Sequence, residues 1–205
     1  MHALPDTAPP NPSLNHRTRY GGPVDSNVIP TRVIDEFIIH PLVRSPRHDA
    51  ALEQLLHDAY VPAGFTEAAR ATALFRADAV HARGFTFGAH DASGTLLGTV
   101  TLVPGGGPAC RIAGAHELEV HLLAVRADAR GRGVGEALVT ALLDAPEAQR
   151  ATLAWLWTQA AMTSAQRLYH RLQFERVPSR DFRDGTREFL VYARPLSGRA
   201  DSGAG

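Results

Sequence analysis

Three glycines at alternate positions, Gly131, Gly133 and Gly135, stand in the stretch ADARGRGVGEAL with Arg130 and Arg132 among them and helix formers directly after. Glycine costs the chain conformational entropy, so such a run is kept where the backbone must bend sharply or let something come close. The apolar run LLAV ends just before the bend. VGEALVTALLDA follows it with Val134, Leu138, Ala141 and Leu142 on one helical stripe. Strand, glycine turn and helix N-terminus together make an anion site. The first helical turn leaves about four N–H groups without internal partners, and the macrodipole adds roughly half a positive charge there. Glycines let a diphosphate reach this backbone without meeting Cβ atoms, and Arg130 and Arg132 add charge. The chemistry indicated is phosphate binding.

Three kinds of glycine loop compete for this stretch. A P-loop needs a lysine after its last glycine, and all 21 basic residues of this chain are arginine. A dinucleotide fingerprint needs G-x-G-x-x-G, but Glu136 stands where the third glycine belongs. That fingerprint also opens a βαβ unit with an acidic residue about 20 positions on, whereas this loop comes late, after a β-meander. What remains is R-x-x-G-x-G, spelled by residues 130–135.

The elements that must position the bend follow from periodicity and punctuation. RVIDEFIIHPLV reads as a first strand stopped near Pro41. Ser45 and Pro46 open a helix as N-cap and first helical residue, with Leu52, Leu55, Leu56 and Ala59 at helical spacing. VPAGF breaks it, and Thr66 opens a second helix, TEAARATALFRADAVHARG. FTFGAH and TLLGTVTLV flank DASG, a hairpin signal. The Gly/Pro loop PGGGPACRIAGAH is long enough to suggest contact with something. In ELEVHLLAV, Glu117, Glu119 and His121 alternate with apolar residues before the run LLAV, so the strand is expected to start half exposed and end buried between two layers. ATLAWLWT reads as a buried strand, SAQRLYHRL as a short helix, and FERV and REFLVYAR as closing strands, with SRDFRDGTRE between them a solvated loop or one bordering a binding cleft. The order β-α-α-β-β-β-α-β-α-β-β implies an α/β fold, a mixed sheet with helices on both faces.

With LLAV before it and an amphipathic helix after it, the R-x-x-G-x-G bend resembles the GNAT superfamily of N-acetyltransferases, which bind acetyl-coenzyme A (acetyl-CoA). The likeness runs from about residue 33 to 194 and includes the element order. SAQRLYHRLQFERV is similar to the family's later helix–strand motif. The resemblance implies a mixed, mostly antiparallel central sheet, acetyl-CoA as co-substrate and no metal. It implies a diphosphate held by Arg130 and by the amides of Gly131, Arg132, Gly133, Val134, Gly135 and Glu136. The pantetheine arm would lie along Leu123, Ala124 and Val125 like an added strand, where the family's two central strands splay. A main-chain N–H near Leu123 would polarise the acetyl carbonyl.

The resemblance also supplies catalytic candidates. Glu119, eleven residues before Arg130, falls where some members have a catalytic glutamate; such a base is worth about 10²–10⁴-fold. Glu117 shares its face and could relay through water, and a carboxylate at a solvated strand end is the other reading of Glu119. Tyr169, in RLYHRL, falls where members often have a tyrosine that protonates the departing sulfur, against the alternative of a packed aromatic beside Leu168 and Leu172. His121 reads as structural, and Trp155 and Trp157 as core or pocket wall. Arg126, Arg130 and Arg132 are within reach of coenzyme phosphates or are simply exposed.

Bulk properties bound these readings. At 205 residues and 44% hydrophobic the chain has room for one domain with a proper core, expected over 32–196, with a Pro-rich disordered leader (1–31) and a disordered tail (197–205). Basic and acidic residues balance at 21 each, so no global field draws nucleic acid or an anionic membrane, and an anion site must be local. A lone cysteine, Cys110, fits a reducing compartment, and there is no apolar run of about 18 residues. Arginine without lysine suggests a GC-rich bacterial genome. The ten histidines lack metal-site spacing, no G-x-S-x-G elbow is present, and Cys110 has no recognisable base partner. The expectation is a cytoplasmic bacterial N-acetyltransferase acting on a primary amine of a small molecule or peptide, without nucleic-acid or membrane partners; a homodimer is compatible with family habit. A non-catalytic acyl-CoA-binding module and an unrelated α/β nucleotide-binding protein stay open as rivals.

Overall fold

The computed structural model describes residues 32–34 and 36–196; the expected leader and tail lie outside the described residues. The chain runs through β1 (Arg32–Ile34), β2 (Phe37–Pro41), α1 (Pro46–Tyr60), α2 (Ala68–Leu74), α3 (Ala77–His81), β3 (Phe85–His90), β4 (Leu96–Pro104) and β5 (Glu117–Val125). It continues through α4 (Val134–Leu143), β6 (Leu153–Gln159), α5 (Thr163–Arg171), β7 (Glu175–Arg176), β8 (Phe182–Asp184) and β9 (Arg187–Pro195). The strands form one sheet in the order β1-β2-β3-β4-β5-β6-β9-β7, with β8 also on β9. Among the described residues only β5 and β6 run parallel, as a crossover through α4 requires. The expected mixed, mostly antiparallel sheet flanked by helices is present.

The two larger of three apolar clusters pack the helices onto the sheet. One joins α4, with Val134, Leu138 and Leu142 fully buried, to β4, β5 and β6; the other packs Leu52, Leu55 and Leu56 of α1 with Phe75 and Val80 against Leu96 and Ala124. Burying each such leucine is worth about 1.5–3 kcal/mol. The first cluster meets bare backbone at Gly98 of β4, where a Cβ would come within 2.9 Å of the Ala124 carbonyl and of Leu138. Only glycine lets the first turns of α4 sit this low on the sheet. Among the described residues no helix is long and apolar enough to cross a membrane.

The expected boundaries change in four places. The first strand divides into the hairpin β1–β2. Ser45 caps α1 as expected, its Oγ accepting the His48 N–H at 3.1 Å. The expected second helix is two, α2 and α3, because the chain turns extended at Arg76 and Glu53 of α1 accepts the Ala77 N–H at 2.8 Å, capping α3 from outside. SRDFRDGTRE is not a loop throughout: Phe182–Asp184 forms β8 and turns at Gly185 into β9. Finally, β5 inverts its expected burial, with Glu119 and His121 buried and Leu122, Leu123 and Val125 half-buried.

Candidate active site

Gly131 and Gly133 adopt φ of +77° and +79°, and Gly133 is the N-cap of α4; a side chain would be strained in either place. The N–H groups of residues 131–136 have no backbone acceptor among the described residues, and the helix ladder begins with Ala137 donating to Gly133 at 2.9 Å. A Cβ on Gly131 or Gly133 would meet nothing within 4 Å, so the space over the bend is open. All of these residues except Arg132 line one cleft of about 1210 Å³. A helix N-terminus whose first amides lack backbone acceptors, preceded by an open glycine bend, fits a diphosphate. The arginines divide. Arg130 lines the cleft with its Nε on the Val125 carbonyl at 3.2 Å. Arg132 instead turns to Glu36, Nε at 2.9 Å, and Arg126 to Asp128. Arg171 of α5 reaches Glu136 of α4 at 3.4 Å, tying together the two helices beside the cleft.

The next part of the site comes from a break in the sheet. β5 and β6 pair only from Glu117–Leu153 to Glu119–Trp155, so β6 leaves the second half of β5 unpaired on that side. On the other side the register with β4 skips between Thr101–His121 and Thr99–Ala124, a bulge that places Leu122 at φ +51°. Leu123, Ala124 and Val125, the expected pantetheine-binding residues, all line the cleft at this opening. The Tyr60 hydroxyl at the end of α1 donates to the Leu123 carbonyl at 2.9 Å. Sequence reasoning missed Tyr60; its place at a helix end beside VPAGF gave no sign of a partner 63 residues on.

Glu119 is fully buried, and its carboxylate explains the Gly/Pro loop. Arg111, Ile112 and Ala113 all donate backbone N–H groups to it, Ala113 at 2.7 Å. Its Oε2 lies 2.7 Å from His121 Nε2. Burial alone would raise the Glu119 pKa, but the His121 and amide hydrogen bonds outweigh it, so the carboxyl lies below its ordinary value and stays ionised. An ionised acceptor takes the Nε2 proton and leaves Nδ1 of a neutral imidazole as a lone pair. Nδ1 has no hydrogen-bond partner among the described residues, and His121 lines the cleft while Glu119 stands behind it. Glu117 is committed elsewhere, accepting from Gly114 N–H and the Trp155 indole, both at 2.8 Å.

Tyr169 of α5 lines the same cleft. Its ring packs against Phe174 and Tyr192, at centroid distances of 6.0 and 6.2 Å, and burial pushes its phenol above the ordinary value. It is therefore both a packed aromatic and a wall of the site. Trp157 also lines the cleft, 4.5 Å from His121, while Trp155 belongs to a separate buried cluster. Cys110 donates to the Pro104 carbonyl at 2.9 Å, and burial raises its thiol. Among the described residues no group of three His, Cys, Asp or Glu side chains is placed to hold a metal.

A profile of the acetyltransferase (GNAT) family matches residues 50–174. No curated protein matches the chain. Among solved structures, an acetyltransferase from Streptococcus agalactiae 2603 is 17% identical with a TM-score of 0.62, the match covering 80% of this chain and 100% of that one. A GCN5-related N-acetyltransferase from Kribbella flavida is 25% identical with a TM-score of 0.55 over 78% of this chain and 98% of its own. An aminoglycoside 6'-N-acetyltransferase complexed with coenzyme A is 17% identical with a TM-score of 0.59, over 80% and 99%. The glycine bend, the opened β5 and the family match together mean that this chain belongs to the GNAT family of acetyltransferases, enzymes that draw their acetyl group from acetyl-CoA.

Proposed function

We propose that the protein transfers the acetyl group of acetyl-CoA to a primary amine by direct attack, with His121 as base, Glu119 as its positioning residue and Tyr169 as acid. The observation that carries this reading is one shared cleft, into which the free amides of the glycine bend, the bulged Leu123, His121 and Tyr169 all open. Acetyl-CoA supplies the thioester; residues 131–136 and Arg130 hold its diphosphate, and Leu123–Val125 align its arm. Fixing acyl donor and amine side by side is the largest contribution, since oriented groups reach effective molarities of about 10⁵–10⁸ M.

The amine nitrogen forms the new N–C bond while the C–S bond breaks. His121 Nδ1 takes one N–H proton, and the charge it gains is offset by Glu119 behind it. The Tyr169 hydroxyl gives its proton to the leaving sulfur, is re-protonated from solvent, and His121 returns its proton to solvent. A raised phenol stays protonated at working pH, so the donor form is the resting one. From a phenol at or above about 10 to a thiol near 8.5, complete transfer is uphill by about 2 kcal/mol or more, so the proton moves only as charge develops on sulfur.

The test is coenzyme A release from acetyl-CoA with a panel of small amines and peptide N-termini, run beside coenzyme A binding. Amine-dependent release sustains the proposal. Binding without release for any amine leaves a coenzyme-holding module, and protection by ATP or NAD in place of coenzyme A against thermal unfolding points to the nucleotide-binding rival.

A further inference from the structure

Beyond His121 the cleft continues along a wall of rings. Trp157 meets the His121 ring edge-on at 4.5 Å, Phe182 of β8 lies 6.2 Å from Trp157, and Phe189 of β9 stacks on Phe182 at 4.9 Å. The wall ends in a cation: the Arg111 guanidinium carbon sits 3.8 Å from the Phe182 ring centroid. Arg70 of α2 and Arg187 of β9 flank it, and both bond Asp184, at 2.9 and 3.3 Å. Three guanidiniums thus face one carboxylate at this end: Arg70 and Arg187 pair with Asp184, while Arg111, whose charge reaches Asp184 only at longer range, makes no ion pair among the described residues. In a chain whose formal net charge is zero, this excess is a local property of the cleft. Arg111 is also held in place, because its own N–H is one of those clamping Glu119 and its head group is stacked. A stacked, pre-positioned guanidinium presents a two-toothed donor to a carboxylate at little entropic cost.

We infer that the acceptor is an aromatic or similarly flat amine that also carries a carboxylate: the amine meets His121, the apolar body lies on Trp157 and Phe182, and the anion is taken by Arg111. This rests on the acetyl-transfer reading and narrows it from any primary amine to one chemical class. The shared chemistry, ring plus amine plus carboxylate, comes in two arrangements, with the carboxylate beside the amine as in L-phenylalanine or across the ring as in 4-(aminomethyl)benzoate.

Binding in the presence of coenzyme A, where no acetyl group can move, is read by calorimetry for two pairs: L-phenylalanine against 2-phenylethylamine, and 4-(aminomethyl)benzoate against benzylamine. The carboxylate member binds about tenfold tighter or better in at least one pair, and the pair that shows it identifies the arrangement. Arg111→Gln reduces that preference to under about twofold, because the backbone clamp on Glu119 stays while the cation goes. Arg183→Gln, on the same hairpin but outside the cleft wall, leaves it in place. Equal binding within both pairs, no binding of either carboxylate at millimolar supply, or a preference that survives Arg111→Gln overturns the inference. Turnover separates this from the broader reading: amines acetylated without regard to carboxylate keep acetyl transfer and lose the subsite. Selective binding with no coenzyme A release from acetyl-CoA does the reverse.

Discussion

Glu119 and His121, two residues apart on one face of β5, meet at 2.7 Å with the carboxylate wholly buried and the imidazole at the cleft. Three loop amides hold the carboxylate from behind, so it has one orientation and faces His121 as an acceptor. Glu119→Gln keeps the shape but reverses the bond. The amide oxygen is retained by the loop N–H groups, and the NH₂ then faces Nε2, which must become the acceptor. His121 is driven to the tautomer with its proton on Nδ1, where the amine needs a lone pair. Turnover is expected to fall about 10²-fold and the alkaline rise of rate with pH to flatten, while coenzyme A affinity holds. Nitrogen chemical shifts of His121 report the tautomer directly; an unchanged tautomer with an unchanged pH profile removes His121 and Glu119 from the mechanism.

Tyr169→Phe leaves the ring contacts with Phe174 and Tyr192 and removes only the hydroxyl. Turnover with acetyl-CoA is expected to fall by about 10–10³-fold with little change in coenzyme A affinity. The loss should shrink with an acetyl donor whose thiol is more acidic, because such a sulfur leaves without help. An equal loss with both donors would make Tyr169 a structural residue.

Two glycines of the bend should behave oppositely. Gly133→Ala forces an L side chain to φ +79°, costing about 1–2 kcal/mol, or moves the chain and spoils the amide cradle; coenzyme A affinity is expected to drop about tenfold or more. Gly135 has no positive φ, and its added Cβ would touch Leu168 and Val125 at ordinary contact distances of 3.4 and 3.5 Å. Gly135→Ala therefore leaves stability unchanged or raises it by about 0.5–1 kcal/mol through helix propensity. Urea unfolding and coenzyme A titration of both variants check the contrast.

How much of this was legible in the sequence depends on the range of the interaction. The bend, Ser45 as N-cap and the α4 stripe are set by neighbours in the chain, and they appear as read. The division at Phe75–Arg76 was hidden because the capping group is Glu53, on another helix. The inverted burial of β5 was hidden for the same reason: alternation of polar and apolar residues predicts a solvated face only when nothing folds over it, and the 105–116 loop does. The backbone of that loop clamps Glu119, a residue whose sequence context fits either a catalytic base or a carboxylate at a solvated strand end, and neither reading predicts a loop folded over it. Phe182, Asp184 and Arg187 enter the cleft because β8 and β9 fold back as a hairpin, which mixed charge in SRDFRDGTRE disguised as a loop.

A cluster of histidines lies outside the cleft. His90 is buried at the end of β3, its ring stacked on His40 at 4.6 Å and 5.8 Å from His48, and neither of its nitrogens has a hydrogen bond among the described residues. Burial, then the charges His40 and His48 would carry, pulls its pKa down to about 4, only partly opposed by the Gly88 backbone and Asp91. An unfolded histidine titrates near 6.5. Between those values the unfolded chain binds a proton that the native state refuses, so stability falls as pH drops from about 6.5 to about 4 and levels off below. The full penalty is about 3 kcal/mol. His81, whose pKa burial also lowers against the pull of Asp49, adds to the same window. Glu119 adds little over most of it: its carboxyl is lowered, so its contribution is whole above the ordinary carboxylate value of about 4.3 and is lost as pH falls from there through the lowered value. His90→Leu is therefore expected to flatten most of the decline in urea-unfolding stability between pH 7 and 4.5. The slope is the readout, since any loss of packing shifts both pH values alike; an undiminished slope would assign the decline to other groups.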